Sequence, residues 1–166
     1  MILIVAGVAG SGKTTLGELI SRRLGWEFAD GDSFHSATNI AKMRSGRPLD
    51  DSDRFPWLAA IGAWMDERIA VGQSAVVACS ALARRYRQAL LAGRPQATMV
   101  FLEISREQAY TRCYVRHGHF FGPAMVASQF AELEPPEPDE QRVLALPSTR
   151  PPDELADTVI AELGLP

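Results

Sequence analysis

Eight residues near the amino terminus, Gly7-Val8-Ala9-Gly10-Ser11-Gly12-Lys13-Thr14, follow the spacing G-x-x-x-x-G-K-[ST]. These residue types at this spacing suit the gripping of a polyphosphate. Glycines let successive backbone N–H groups turn inward as a nest for anions. A helix starting at the lysine adds the positive end of its dipole. The lysine reaches the β- and γ-phosphates, and the Thr hydroxyl ligates Mg²⁺. The spacing therefore predicts that residues Gly7 to Thr14, with Thr15, contact the triphosphate of ATP. Lys13 is the expected catalytic cation and Thr14 an expected metal ligand. The motif needs a strand before it and a helix after it. Met1 to Ala6 is an apolar run, and Leu16, Leu19, Ile20 and Leu24 recur at helical spacing, with Gly25 placed to end the helix.

A second group lies at Asp30-Gly31-Asp32, behind the strand-like stretch Trp26 to Asp30. Phosphoryl transfer to an alcohol uses one carboxylate near Mg²⁺ and another near the attacking hydroxyl. Asp30 is the candidate for the metal side, and Asp32 for accepting the hydroxyl proton. Further along, Arg112 and Arg116 stand four apart, on one face of a helix. Two guanidiniums so placed repel unless a polyphosphate lies between them, so both are candidate ATP contacts, Arg116 with a catalytic share. Gly118 and Gly122 bracket His119-Phe120-Phe121, as hinges would bracket a lid that excludes water.

Strand and helix patterns alternate through the rest of the chain. Ala75 to Cys79, Thr98 to Ile104 and Arg142 to Leu146 read as buried strands. Helices are expected over 36–45, 52–71, 83–91, 105–116, 124–132 and 152–163, with Ser105 and Gln108 as a capping box. The Trp57, Trp64 and Met65 stripe reads as core, and Pro135 to Pro138 as a rigid connector. Arg44, Arg47, Arg84 and Arg85 read as solvated surface charges. The pattern predicts an α/β fold: a mostly parallel five-stranded sheet with helices on both faces, one domain over 1–166. Substrate-binding helices fall at about 36–72 and a lid at about 116–132. Ligands in such sheets sit at the carboxyl ends of the strands, where the phosphate loop, Asp30, Cys79-Ser80 and the segment after Leu146 all fall.

The 166 residues carry a formal net charge of −3 and are 46% hydrophobic. That balance argues against nucleic acid or an anionic membrane as partner. No apolar run reaches the length of a membrane span, and the apolar start lacks the basic region of a signal peptide. Cys79 and Cys113 fit neither metal nor disulfide spacing, which predicts reduced thiols in a cytoplasmic protein. GTPase base-reading and switch motifs are missing from the sequence, and the strand ending in Cys79-Ser80 lacks a motor ATPase's terminal Asp. A small-molecule kinase of the P-loop type remains.

The chain resembles the small bacterial-type gluconokinases. The resemblance is carried by Asp30-Gly31-Asp32, His35, Asn39-Ile40, Lys42-Met43, Gly46, Pro48-Leu49, Asp53-Arg54 and Pro56-Trp57-Leu58. Cys79-Ser80-Ala81-Leu82, Tyr86-Arg87, Arg116 to Phe121, Ser128-Gln129-Phe130 and Leu133-Glu134 extend it over roughly residues 3 to 140. It implies a nucleoside monophosphate kinase-like P-loop kinase fold with a lid, and phosphorylation of D-gluconate at its 6-hydroxyl by ATP with Mg²⁺. A homodimer is also implied. A sugar acid's carboxylate suits a bidentate guanidinium, and Arg54 and Arg87 are the arginines whose neighbours match the family. His35, Lys42 and, in the lid, His119 are the remaining expected substrate contacts. The rival readings are another small kinase, for shikimate or a nucleoside monophosphate, and a non-catalytic nucleotide-binding regulator.

Overall fold

β1 (Ile2–Gly7) is buried at every residue, and its side chains alternate between two separate cores. Ile2, Ile4 and Ala6 pack on one face, while Leu3 and Val5 pack on the other. Successive strand side chains point to opposite faces, so a strand apolar at every position must be covered on both sides. β1 is also flanked in the sheet, pairing in parallel with β3 (Ala75–Cys79) and β4 (Ala97–Glu103). β2 (Glu27–Asp30) adds beyond β3, and β5 (Val143–Pro147) beyond β4, both parallel. The strand order is β2-β3-β1-β4-β5.

The computed structural model describes residues 1–117 and 123–166, with the side chains of 116, 117 and 123 also left aside. The expected lid residues Gly118, His119, Phe120, Phe121 and Gly122 lie outside the described residues, as does the side chain of Arg116. Between strands run α1 (Lys13–Leu24), α2 (Ala37–Arg44), α3 (Asp51–Ala70), α4 (Arg84–Leu91), α5 (Arg106–His117), α6 (Pro123–Glu132) and α7 (Pro152–Glu162). The first core takes Trp57, Leu58, Ile61 and Met65 of α3, Tyr86 and Leu90 of α4, and Val126 of α6. The second takes Leu16 and Ile20 of α1 with Leu155 and Val159 of α7. Gly25 closes α1 in a left-handed conformation, as its position predicts. Ser105 and Gln108 exchange the expected capping hydrogen bonds. Both cysteines are free thiols and buried. Among the described residues, no helix is long and apolar enough to cross a membrane.

Arg87 corrects an expectation. It faces inward from α4 rather than toward a ligand, and its side chain is 0% exposed. Nε and Nη2 donate to the two oxygens of Glu140 at 2.8 and 2.6 Å. Nη1 donates to the carbonyls of Leu82 and Glu134, both at 2.9 Å. The guanidinium therefore ties the connector after α6 to the sheet, and it is not at the disposal of a sugar acid. Arg84 and Arg85 are likewise engaged rather than merely solvated. Arg84 pairs with Glu137 and Asp139, and Arg85 with Asp51 and Glu134.

Breaking one side of a buried ion pair strands the other charge, at a cost of about 3 kcal/mol. Glu140→Gln is therefore expected to lower unfolding free energy by about that amount in urea titrations. The hydrogen bonds from Arg87 hold the Glu140 carboxyl below the usual range. A depressed folded-state value means stability that is present above the unfolded glutamate range and lost as pH falls through the folded one. Wild type should thus lose more stability on acidification than Glu140→Gln does; parallel losses would contradict the assignment.

Candidate active site

The phosphate loop leaves β1 at Gly7 and enters α1 at Lys13. Gly10 has φ 78°, and a Cβ there would stand 2.9 Å from the carbonyl oxygen of Ala109 and 3.1 Å from the Cys113 sulfur. The loop thus lies directly on α5, with room only for glycine. Gly12 caps α1 without a side-chain hydrogen bond, and the first turn carries no acidic residue. No acidic side chain of the helix's own first turn competes for the amides there. The Lys13 ammonium donates to the carbonyl of Val8 at 2.9 Å, bridging its own loop. Burial lowers its pKa, and Asp32 is the strongest of the charges that oppose the shift.

Asp30 and Asp32 face that lysine from the end of β2. The chain turns through a short 3₁₀ segment (Gly31–Phe34), capped by Asp30, whose Oδ1 accepts the Asp32 N–H at 3.0 Å. A Cβ at Gly31 would come within 2.5 Å of the Ala78 carbonyl oxygen of β3, so only glycine lets the turn sit this close. The Asp32 side chain is 79% exposed in the cleft. Its pKa is raised, first by lost hydration and then by the like charge of Asp30, with Lys13 and His35 pulling the other way.

α3 anchors this turn. Trp57 Nε1 donates to the Gly31 carbonyl at 2.7 Å, and the Trp57 ring stacks on His35 with centroids 4.3 Å apart. The Asn39 amide nitrogen donates to the Asp53 carbonyl and stands 3.3 Å from His35 Nδ1. That network assigns Nδ1 as acceptor and leaves the ring proton on Nε2, 4.0 Å from Asp32 Oδ1. Burial lowers the His35 pKa; Asp32 opposes the shift and Arg54 adds to it. His35 is therefore neutral and lies within the fields of both Asp32 and Arg54.

Arg54, the other expected carboxylate contact, lies one turn into α3. Its Nη2 pairs with Glu132 at 2.7 Å and its Nε donates to the Leu49 carbonyl at 3.3 Å. Lys42, another expected substrate contact, is also engaged within the chain. Its ammonium is held by Asp53 and Asp50, the reciprocal capping box of α3, and so steadies the helix start.

On the other side of the phosphate loop a cavity of about 340 Å³ opens between α1, α5 and the segment after β5, with Ser11, Thr15, Leu102, Arg112, Ser148 and Arg150 in its wall. Arg112 donates to Ser148 Oγ and to the Ser148 carbonyl, both at 2.7 Å. Ser148 in turn donates to the Ser11 carbonyl at 2.6 Å. Arg112 is thus delivered to the loop, as its place on α5 predicts. Ser148 and Arg150 are not found by sequence reading, which recognises only that the segment after Leu146 reaches the ligand edge. No motif marks them, because their part is to close a wall around a loop far away in sequence.

The residues present fit a nucleotide triphosphate. Ser11 Oγ is buried and without a hydrogen-bond partner, as is fitting for a polar atom in an anion cradle whose anion supplies the missing bond. The Thr14 hydroxyl and the Asp30 carboxylate are the oxygen donors that would hold Mg²⁺. Among the described residues no group of three or more His, Cys, Asp and Glu is arranged to hold a metal. Mg²⁺ suits such a sparse set, since it keeps several waters and takes phosphate oxygens as ligands.

Comparison with known proteins agrees with this geometry. The family model described as Shikimate kinase matches residues 9–129. A curated gluconokinase of Gluconobacter oxydans is 39% identical over 158 residues, covering 95% of this chain and 88% of that one. The crystal structure of a gluconokinase from Sinorhizobium meliloti superposes with TM-score 0.85 at 40% identity, covering 98% of this chain and 90% of that one. An unliganded sugar kinase from Janibacter superposes with TM-score 0.91 at 41% identity, covering 99% and 94%. The chain belongs to the gluconokinase family, built on the P-loop kinase fold that the shikimate kinase model also describes.

Proposed function

We propose that this protein transfers the γ-phosphoryl group of ATP to the 6-hydroxyl of D-gluconate, giving 6-phospho-D-gluconate and ADP. The observation that carries the reading is the placement of Asp32 against Lys13 at the carboxyl edge of β2 and β1, the strands on either side of β3, with a guanidinium, Arg54, on the helix that pins the same turn. An alcohol lying between Asp32 and the phosphate loop is in line for transfer. A carboxylate at Arg54 fixes the opposite end of the substrate.

The roles follow from the geometry. The loop amides and Lys13 take the charge of the transferring group, and the Lys13 ammonium exchanges its bond to the Val8 carbonyl for phosphate oxygens. Asp32 accepts the hydroxyl proton. The transition state is loose, so positioning and charge stabilisation contribute more than proton removal. His35 offers its Nε2 proton to Asp32 or to a substrate hydroxyl. Thr14 and Asp30 would hold Mg²⁺ together with water, and the ion would supply neutralisation of the charge on the transferring phosphoryl group. Arg112 flanks the phosphates from α5, and Arg116 and His119 belong to the same reading as lid residues. This reading assigns the nucleotide base to the cavity whose wall includes Thr15, Arg112, Ser148 and Arg150. The buried free thiols suit a reducing cytoplasm, and a homodimer, tested by light scattering, completes the reading.

A coupled assay for ADP release, run with gluconate, shikimate and nucleoside monophosphates as acceptors, tests this directly. Turnover with gluconate at least a hundredfold above the others is expected; a preference for shikimate would move the assignment to the rival small kinase. Lys13→Ala should lower kcat by about 10³-fold or more, the scale at which removing one preorganised charge acts on a transition state. Asp32→Asn should cost less, about 10²-fold; a Lys13→Ala rate near wild type would remove the lysine from the mechanism. Arg54→Ala should raise KM for gluconate at least tenfold and leave KM for ATP nearly unchanged. Equal effects on both would reject Arg54 as the carboxylate contact.

A further inference from the structure

Arg54 already holds a carboxylate that belongs to the chain itself. Glu132, the last residue of α6, pairs with Arg54 Nη2 at 2.7 Å, and the two side chains are only 15% and 19% exposed. The Nε edge of the same guanidinium is taken by the Leu49 carbonyl. The edge bearing Nη2 is therefore where an incoming sugar acid would dock, and Glu132 stands on it.

Three features show that Glu132 is presented there rather than pulled there. α6 is seated by its apolar face, with Val126 buried and Phe130 packed against the core. One turn before Glu132, the Gln129 side-chain oxygen accepts the Ala9 N–H of the phosphate loop at 2.6 Å, a second anchor independent of Arg54. Glu132 is also poorly satisfied at its other oxygen. The Tyr86 hydroxyl lies 3.2 Å from it, but that hydroxyl has one proton and stands 2.5 Å from Asp51. Asp51, Glu132 and Glu134 share this corner with Arg54 and Arg85, and Arg85 is committed to Asp51 and Glu134. A further carboxylate cannot join Arg54 without crowding a second anion onto one guanidinium edge.

We infer that Glu132 is an internal stand-in for the substrate carboxylate, occupying Arg54 in the free enzyme and yielding it when gluconate binds, so that it sets the affinity for the sugar acid. The exchange balances: one ion pair breaks, one forms, and Glu132 turns to water. This deepens the reading of Arg54 given above and rests on it.

The test measures KM for gluconate and for ATP in wild type, Glu132→Gln, Arg54→Ala and the double variant. Glu132→Gln keeps the shape and removes the charge. It should lower KM for gluconate about fivefold, a modest gain suited to a partly exposed pair, and leave KM for ATP unchanged. In the Arg54→Ala background the same change should have no effect on either constant. If Glu132→Gln raises or leaves KM for gluconate while Arg54→Ala raises it, Glu132 only steadies the arginine, and the stand-in is overturned while the Arg54 reading survives. If Arg54→Ala leaves KM for gluconate unmoved, both fall. Should Glu132→Gln not fold, Glu132→Asp, which withdraws the carboxylate by one methylene, must lower KM for gluconate in the same direction, and an unchanged value overturns the inference.

Discussion

The cleft depends on how tightly the Asp30–Asp32 turn lies against the backbone of β3. A side chain at Gly31 would meet the Ala78 carbonyl at 2.5 Å, so the turn has one seat and cannot drift. Trp57 fastens the start of α3 to that seat through the Gly31 carbonyl, and His35 stacks on the same indole. One glycine and one tryptophan thus set where Asp32 meets Lys13 and where Arg54 enters the cleft. The phosphate loop has an equivalent constraint on the other side, where Gly10 rests on α5. Two close backbone approaches, each possible only without a Cβ, bring the nucleotide side and the acceptor side together.

Lys13, Arg112 and Arg54 are each engaged by a group of the chain itself. Lys13 donates to the Val8 carbonyl, Arg112 to Ser148, and Arg54 pairs with Glu132. Buried charges left alone are costly, so the chain supplies partners. For Lys13 and Arg112 these are neutral oxygens, which a phosphate displaces with a gain in electrostatic energy. For Arg54 the partner is a full carboxylate, so displacement by another carboxylate is closer to even. On the proposed reading, this arrangement favours polyphosphate binding and moderates sugar acid binding.

Most of the fold was legible in the sequence because each element carries its own punctuation. The apolar runs at Ile2–Gly7 and Ala75–Cys79 could only be doubly covered parallel strands, and Gly25 ends α1 where it should. Lys13, Asp30 and Asp32 come to the carboxyl edge of the sheet, since motif spacing places them at or just beyond strand ends, while Arg54 and Arg112 are brought there by α3 and α5. The internal partners of Lys42 and Arg87 were not legible, for a shared reason. A basic residue in a recognised motif looks the same whether it faces a ligand or a partner acid, and their partners, Asp53 and Glu140, lie 11 and 53 positions away. Ser148 was invisible on the same ground: its role rests on contacts to Arg112 and Ser11, 36 and 137 positions away.

The central claim is that an alcohol held between Asp32 and the phosphate loop is phosphorylated at the end of the molecule remote from its carboxylate. Carbon NMR of the product formed from ATP, Mg²⁺ and uniformly ¹³C-labelled gluconate reads this directly. Phosphorus coupling confined to C6 and its neighbour is the predicted result. Coupling centred on another carbon, or release of inorganic phosphate with the sugar acid unchanged, would contradict the account.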